Sequence, residues 1–443
     1  MSSTRANTPL ELAQWVVERA RQLGADQVSA QVGIGTHNEL EYRDGTPETA
    51  SHATSHGLGF TLLVDERYSS HATSDLRPES IDTLLRRAIA ATRLLEPDPD
   101  RALAAANLCG AGTPPEALDL CDPTWAQRTP HDRETAIHEL EAALMDRPIQ
   151  GALSVTAGIS DGTSRSAMVL SNGFVGESSH TSFSAGVGVS FLDGSKRPQV
   201  GVSAGTLHLE DLPPCPYFSD ELVQRAHDRR GASPMPSARL PMLVHHRAIA
   251  RILGLLRGPI SGGALHQGRS CLAGRRGTRI ASPLLTIVDD PTLRRGAGSR
   301  AWDGDGLIAI PRDVLREGVL ESYTVGLYYH RKTGLDLTGS SSNWVVPPGT
   351  RSPDAILRSL PRVLRVDAFV GGNANAATGD FSFGIQGCLF EHGEHTANVS
   401  EMNIAGNLVE LLNQLCEVAN DPHPRSSVRA PSMLFDAIQF SGI

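Results

Sequence analysis

The chain is poor in the features that would place it in several large classes. No run approaches the eighteen or so consecutive apolar residues of a membrane-spanning helix; Leu58–Val64 is among the longest. The start, Met1–Asn7, is polar and lacks the apolar core and cleavage site of a secretory leader, so a cytoplasmic location is expected. There is no basic block: 40 Lys+Arg stand against 49 Asp+Glu, a net charge of −9, which gives no electrostatic reason to bind nucleic acid. The six cysteines (109, 121, 215, 271, 388 and 416) form no C-x-x-C, which excludes zinc ribbons and thioredoxin-type pairs and suits a reducing compartment. No G-x-x-x-x-G-K-[ST] occurs, so a P-loop is unsupported.

What is present is an ordinary globular composition, 40% apolar and 20% charged over 443 residues, enough for two to four domains at about 150 residues each. Thr8, Pro9 and Glu11 open a helix with a capping box, and Leu12, Val16, Ala20 and Leu23 give its apolar face before Gly24. Val28, Ala30, Val32 and Ile34 alternate as a half-buried strand, Leu58–Val64 reads as another, and Ile81 to Ile89 as a second helix. Glu96–Arg128, with five prolines and no sustained period, reads as a linker. A helix from Thr129–Pro130 precedes short strands with turn signals at Asp161–Gly162, Asn172–Gly173 and Asp193–Gly194. A Pro-rich break, Pro234–Pro241, introduces a strand-rich remainder with helices at Arg247–Leu256 and Ile404–Val418. The expected fold class is α+β. The expected units are 1–96, a linker 97–128, a central helix-plus-sheet domain 129–233 and a β-rich domain 234–443.

Local chemical motifs are weak. Gly201-Val202-Ser203-Ala204-Gly205 matches the hydrolase elbow G-x-S-x-G, but no helix pattern follows, and a glycine-rich strand is the better reading. Gly186-Val187-Gly188 and Gly296-Ala297-Gly298 lack the context of a dinucleotide fingerprint. His52 and His56 fall in extended sequence, and His392 and His395 flank a turn. His245-His246 lies where an apolar strand runs into a helix, and a structural histidine is favoured there over a ligand.

A broader pattern carries more. Asp289-Asp290-Pro291, Trp302-Asp303-Gly304-Asp305-Gly306, Arg316-Glu317-Gly318, Thr378-Gly379-Asp380-Phe381-Ser382-Phe383-Gly384, Ile404-Ala405-Gly406-Asn407-Leu408 and Phe440-Ser441-Gly442 occur in order. With Gly24-Ala25-Asp26 and Thr73-Ser74-Asp75-Leu76 near the start, the chain resembles the TldD/PmbA family, in its TldE (PmbA) branch.

The resemblance implies a subunit of a two-subunit zinc peptidase that admits unfolded peptides to an internal chamber. In the TldD branch a H-E-x-x-x-H helix and a later cysteine hold zinc, three protein ligands leaving one position for water. Here the matching segment is His245-His246-Arg247-Ala248-Ile249-Ala250, and the cysteine position falls near Ser382. His245 keeps a ligand position, whereas His246 replaces the base, Ala250 the second histidine and Ser382 the cysteine. The resemblance thus implies no catalytic residue and no cofactor in this chain, zinc in a TldD-like partner, and His245, His246, Asp380 and Ser382 as candidates to face the substrate chamber. It implies a heterodimer working on unfolded peptides, with no nucleic-acid or membrane partner. The rival readings are a stand-alone peptide-processing hydrolase using His245, His246 or Asp380, and a chaperone-like peptide-binding module.

Overall fold

The computed structural model describes residues 8–442; Met1–Asn7, on which the leaderless start was read, and Ile443 lie outside the described residues. The first helix, Pro9–Gln22, begins as its sequence dictates: Thr8 Oγ1 accepts the Glu11 N–H at 3.2 Å and Glu11 Oε2 accepts the Thr8 N–H at 3.1 Å. Two otherwise orphaned donors are satisfied, and Leu12, Ala13, Val16, Val17 and Ala20 turn inward.

That helix and Pro78–Thr92 pack on a six-stranded antiparallel sheet, ordered Arg67–Thr73, Thr46–Val64, Gln27–Arg43, Ala152–Leu170, Val175–Phe191, Gln199–Thr206. Helices Pro130–Met145 and Cys215–Arg229 cover the other end of the same face, over Ala157, Ala185, Val187 and Val202. The sheet spans the expected boundary at 97–128: Gln27–Arg43 pairs with Ala152–Leu170 from Ser29–Leu170 to Arg43–Thr156. The segments assigned to a first and a central domain therefore share one sheet, because each strand's alternating face needs the other as its neighbour.

The Asp161–Gly162 turn expectation fails for a related reason. Both residues lie inside the strand Ala152–Leu170. Asp161 is 3% exposed and takes Arg133 Nε and Nη2 at 2.7 and 2.8 Å, Asn38 Nδ2 at 2.9 Å and the Trp125 indole at 2.9 Å. Partners from distant segments override a local turn propensity. Asn172–Gly173 and Asp193–Gly194 do turn, with glycine φ of 102° and 60°.

The C-terminal half holds a five-stranded sheet of short strands and a second six-stranded sheet. The latter runs Glu394–Asn407, Asp380–Glu391, Arg362–Ala374, Ala238–Val244, Met433–Ser441, Leu415–Val418. Glu394–Asn407 also pairs with Met433–Ser441, so the sheet curls on itself around Trp344, Phe383, Phe435 and Phe440. Pro241 is accommodated in a central strand because its missing N–H falls where the ladder with Met433–Ser441 skips two residues, at Asp436–Ala437. The expected helix Ile404–Val418 shrinks to Leu408–Asn413. Met402 and Ile404 are buried with period two in a strand, Asn407 caps the helix by accepting the Val409 N–H, and Leu415–Val418 returns as a strand. The Arg247–Leu256 helix appears as His246–Leu253 with a 3-10 turn to Arg257.

Candidate functional site

The strand Ala238–Val244 ends at His245, whose N–H bonds the Val366 carbonyl at 2.9 Å. His245 then caps the next helix, its Nδ1 accepting the Arg247 N–H at 3.3 Å. Ala248, Ile249, Ile252 and Leu253 bury one helix face in the large C-terminal core. Burial, and next to it the His246 ring, push His245 down to about 4, so it is neutral at pH 7.

His246 faces the C-terminal loop. Its N–H donates to Ser432 Oγ at 2.9 Å, and its Nδ1 lies 2.9 Å from both the carbonyl and the Oδ2 of Asp421. Both partners are acceptors, so Nδ1 carries the proton. Asp421 also takes the Ser432 N–H at 2.9 Å and the Ser432 hydroxyl at 2.7 Å. Burial alone would raise the Asp421 carboxyl, but the bonds from His246 and Ser432 outweigh it and hold it below the usual range. His423 completes the group: its ring centroid is 5.4 Å from that of His246, and its Nδ1 accepts the Arg425 N–H at 3.3 Å. Burial and then the charges of His246, Arg425 and Arg247 bring it down to about 4.

Ligand-type atoms of His245, His246 and Asp421 lie within 4.8 Å of one another, which invites comparison with a metal site. The donor chemistry argues otherwise. The Nδ1 lone pairs of His245 and His423 accept backbone N–H groups, His246 Nδ1 is a donor, and both Asp421 oxygens are engaged. Arg247, Arg365 and Arg425 already disfavour positive charge on these histidines. With Nδ1 accepting, His245 and His423 carry their protons on Nε2, so of the three rings only His246 Nε2 keeps a free lone pair, and the group does not fit the family's zinc set. Nor is it a nucleophile triad, since the fully buried Ser432 donates to Asp421 and not to a histidine ring.

Asp380 and Ser382 are placed elsewhere. Ser382 lies on Asp380–Glu391 opposite Asn373 and Ala405, whereas Val244 is level with Val366 and hence Gly387. Five residues along a strand are about 17 Å, so Ser382 cannot share an ion with His245. Asp380 is exposed, and hydrogen bonding with Thr378, then the Asn407 Nδ2 donor at 3.2 Å, hold its carboxyl below the usual range. Ala250 is half-buried against the core and offers no donor. Ser203 sits exposed in the strand Gln199–Thr206, without an elbow.

Sequence reasoning missed Asp421, His423 and Ser432, which join His246 across some 175 residues with no local spacing to reveal them. It also missed an ion network that starts from Arg247 of the same helix. Arg247 pairs with Glu221, Arg365 Nη2 donates to Asp228 at 2.8 Å and to Asp367 at 3.0 Å, and the Cys388 thiol is pushed up by burial and then by Asp367. Cys388 is therefore no nucleophile.

Fold and site together define an α+β chain of two sheet-built halves, with a histidine-capped helix bonded to the loop that carries Asp421 and Ser432. The PmbA/TldA metallopeptidase C-terminal domain matches residues 237–442, and domain 1 of the same family matches residues 31–92. The metalloprotease PmbA of Escherichia coli O157:H7 is 28% identical over 98% of this chain and 95% of its own. A Bacteroides thetaiotaomicron structure proposed as a modulator of DNA gyrase is 32% identical, with a TM-score of 0.93 over 98% of both chains. The structure of TldE from Thermococcus kodakarensis, 19% identical, shares the fold with a TM-score of 0.85, covering 97% of this chain and all of that one. The chain belongs to the PmbA/TldD metallopeptidase family and is PmbA/TldE-like. Among the described residues no helix is long and apolar enough to cross a membrane.

Proposed function

We propose that this chain is the non-catalytic subunit of a two-subunit metallopeptidase acting on unfolded peptides, in which a TldD-like partner holds zinc and this chain supplies chamber wall and peptide contacts. One observation carries the reading. At the segment His245–Ala250, where the resemblance leaves His245 as the one matching ligand position, its Nδ1 accepts the Arg247 N–H, which supports a chain without its own metal. A subunit without its own metal contributes to cleavage only by sharing a chamber with one that has it. Relatedness between the two branches favours a pseudo-two-fold pairing, with an interface above the ~1,600 Å² of a standard complex.

Co-expression with a TldD-like chain, purification through a tag on one of them, light scattering and an unfolded-peptide assay test this. A heterodimer active only when both chains are present is expected. Separate elution, with the TldD-like chain fully active alone, would refute it. Cleavage by this chain alone would move the assignment to a stand-alone hydrolase. Peptide binding without cleavage in either setting would indicate a chaperone-like module.

A further inference from the structure

The helices of the first sheet all cover one face, and the opposite face looks toward the C-terminal half across a cleft of about 590 Å³. On the sheet side Ser160 and Ser184 are cross-strand neighbours, their hydroxyls 2.8 Å apart. Only one of the two protons is used between them, so the other is free to donate. The C-terminal side brings four arginines to the cleft. Two of them are already neutralised: Arg294 pairs with Asp119, and Arg295 with Asp119, Glu210 and Asp211.

Arg425 and Arg429 differ. Among the described residues neither guanidinium has a carboxylate partner or a side-chain hydrogen bond. Arg425 lies over the Tyr217 ring at 5.3 Å, and Arg429 Nε is shielded from water with no acceptor. A guanidinium N–H out of water without an acceptor is costly, and the planar fork is best satisfied by a carboxylate. We infer that this cleft binds a carboxylate of a peptide, held by Arg425 and Arg429 with a serine hydroxyl of the Ser160–Ser184 pair as a further donor. The inference rests on the peptide reading above, since the anions of an unmodified peptide near neutral pH are carboxylates. These come from its C-terminus or from Asp and Glu side chains.

The test is fluorescence polarisation with the full chain alone and an unstructured Gly/Ser/Val peptide labelled at its N-terminus. Three forms are compared: free acid, C-terminal amide, and amide with one internal Asp. The free acid should bind roughly tenfold to a hundredfold more tightly than the amide. Arg425→Gln combined with Arg429→Gln should abolish that difference while leaving the weak amide binding in place. Recovery of affinity by the internal Asp assigns the site to carboxylates in general; no recovery assigns it to the C-terminus. Arg425→Gln alone, on a half-exposed loop residue, should lower the acid preference if the double variant fails to fold. Equal binding of acid and amide by the unaltered chain overturns the carboxylate site while the peptide reading survives. Failure of every form to bind overturns the carboxylate site in this chain, and the two-chain assay above decides the peptide reading separately.

Discussion

His245 offers a quantitative check on the network that replaces the metal site. Its side chain is largely buried and titrates near 4, against 6.5 for an exposed histidine. The unfolded chain therefore binds the extra proton first as pH falls. Stability is fully present above about 6.5, is lost as pH drops toward 4, and changes little from this group below that. Between pH 7 and pH 5 the two values give a loss of about 2 kcal/mol from this residue alone. His245→Asn removes the titration and keeps the helix cap, because asparagine is among the best capping residues. Urea unfolding at both pH values, followed by tryptophan fluorescence, reads the difference; Trp344 is fully buried in the core against which this helix packs. The unaltered chain should lose about 2 kcal/mol more than the variant on acidification. His423, also near 4, leaves a residual pH dependence in both proteins. Identical pH dependence in the two would refute the buried, neutral assignment of His245.

Three further outcomes follow from the geometry. Asp161→Ala should destabilise the N-terminal half by about 3–5 kcal/mol in denaturant titrations, because it leaves Arg128 and Arg133 largely buried beside it without their carboxylate. Gly318→Ala should cost at least about 2 kcal/mol by thermal unfolding: φ is +79° and a Cβ would meet the Ala281 carbonyl at 2.2 Å. Elemental analysis after dialysis against metal-free buffer should find no stoichiometric zinc; one zinc per chain would overturn the reading that His245, His246 and Asp421 do not fit a zinc set.

Periodicity and caps in the sequence located the first helix, the helix after His245 and the turns at Asn172–Gly173 and Asp193–Gly194, because each is decided by neighbours a few residues away. The sharing of one sheet across 97–128 was hidden, since strand pairing between Gln27–Arg43 and Ala152–Leu170 leaves no local mark. Asp161–Gly162 misled for the same reason: a turn dipeptide says nothing about the Arg133 and Asn38 waiting elsewhere in the chain. Leu408, Leu411, Leu412 and Leu415 do read as a helical stripe, but strands of period two flank it and the stripe overran into them. At the site, motif matching singled out His245 and His246, whereas Asp421, His423 and Ser432 came together only through the return of the last strands. Asp380 and Ser382 stand out in the sequence only by position in a motif, and register along Asp380–Glu391 sets Ser382 too far from His245 to cooperate with it.

The pairing of Gln27–Arg43 with Ala152–Leu170 has a consequence for biogenesis. A nascent chain presents the first of these strands long before its partner exists, since Ser29 must wait for Leu170. Loop closure over that span costs little more than over half of it, but synthesis at ~5–20 residues per second imposes a delay of many seconds. During it one edge of Gln27–Arg43 has no strand to meet. That edge is open to non-native strand pairing until the ribosome has released the middle of the protein.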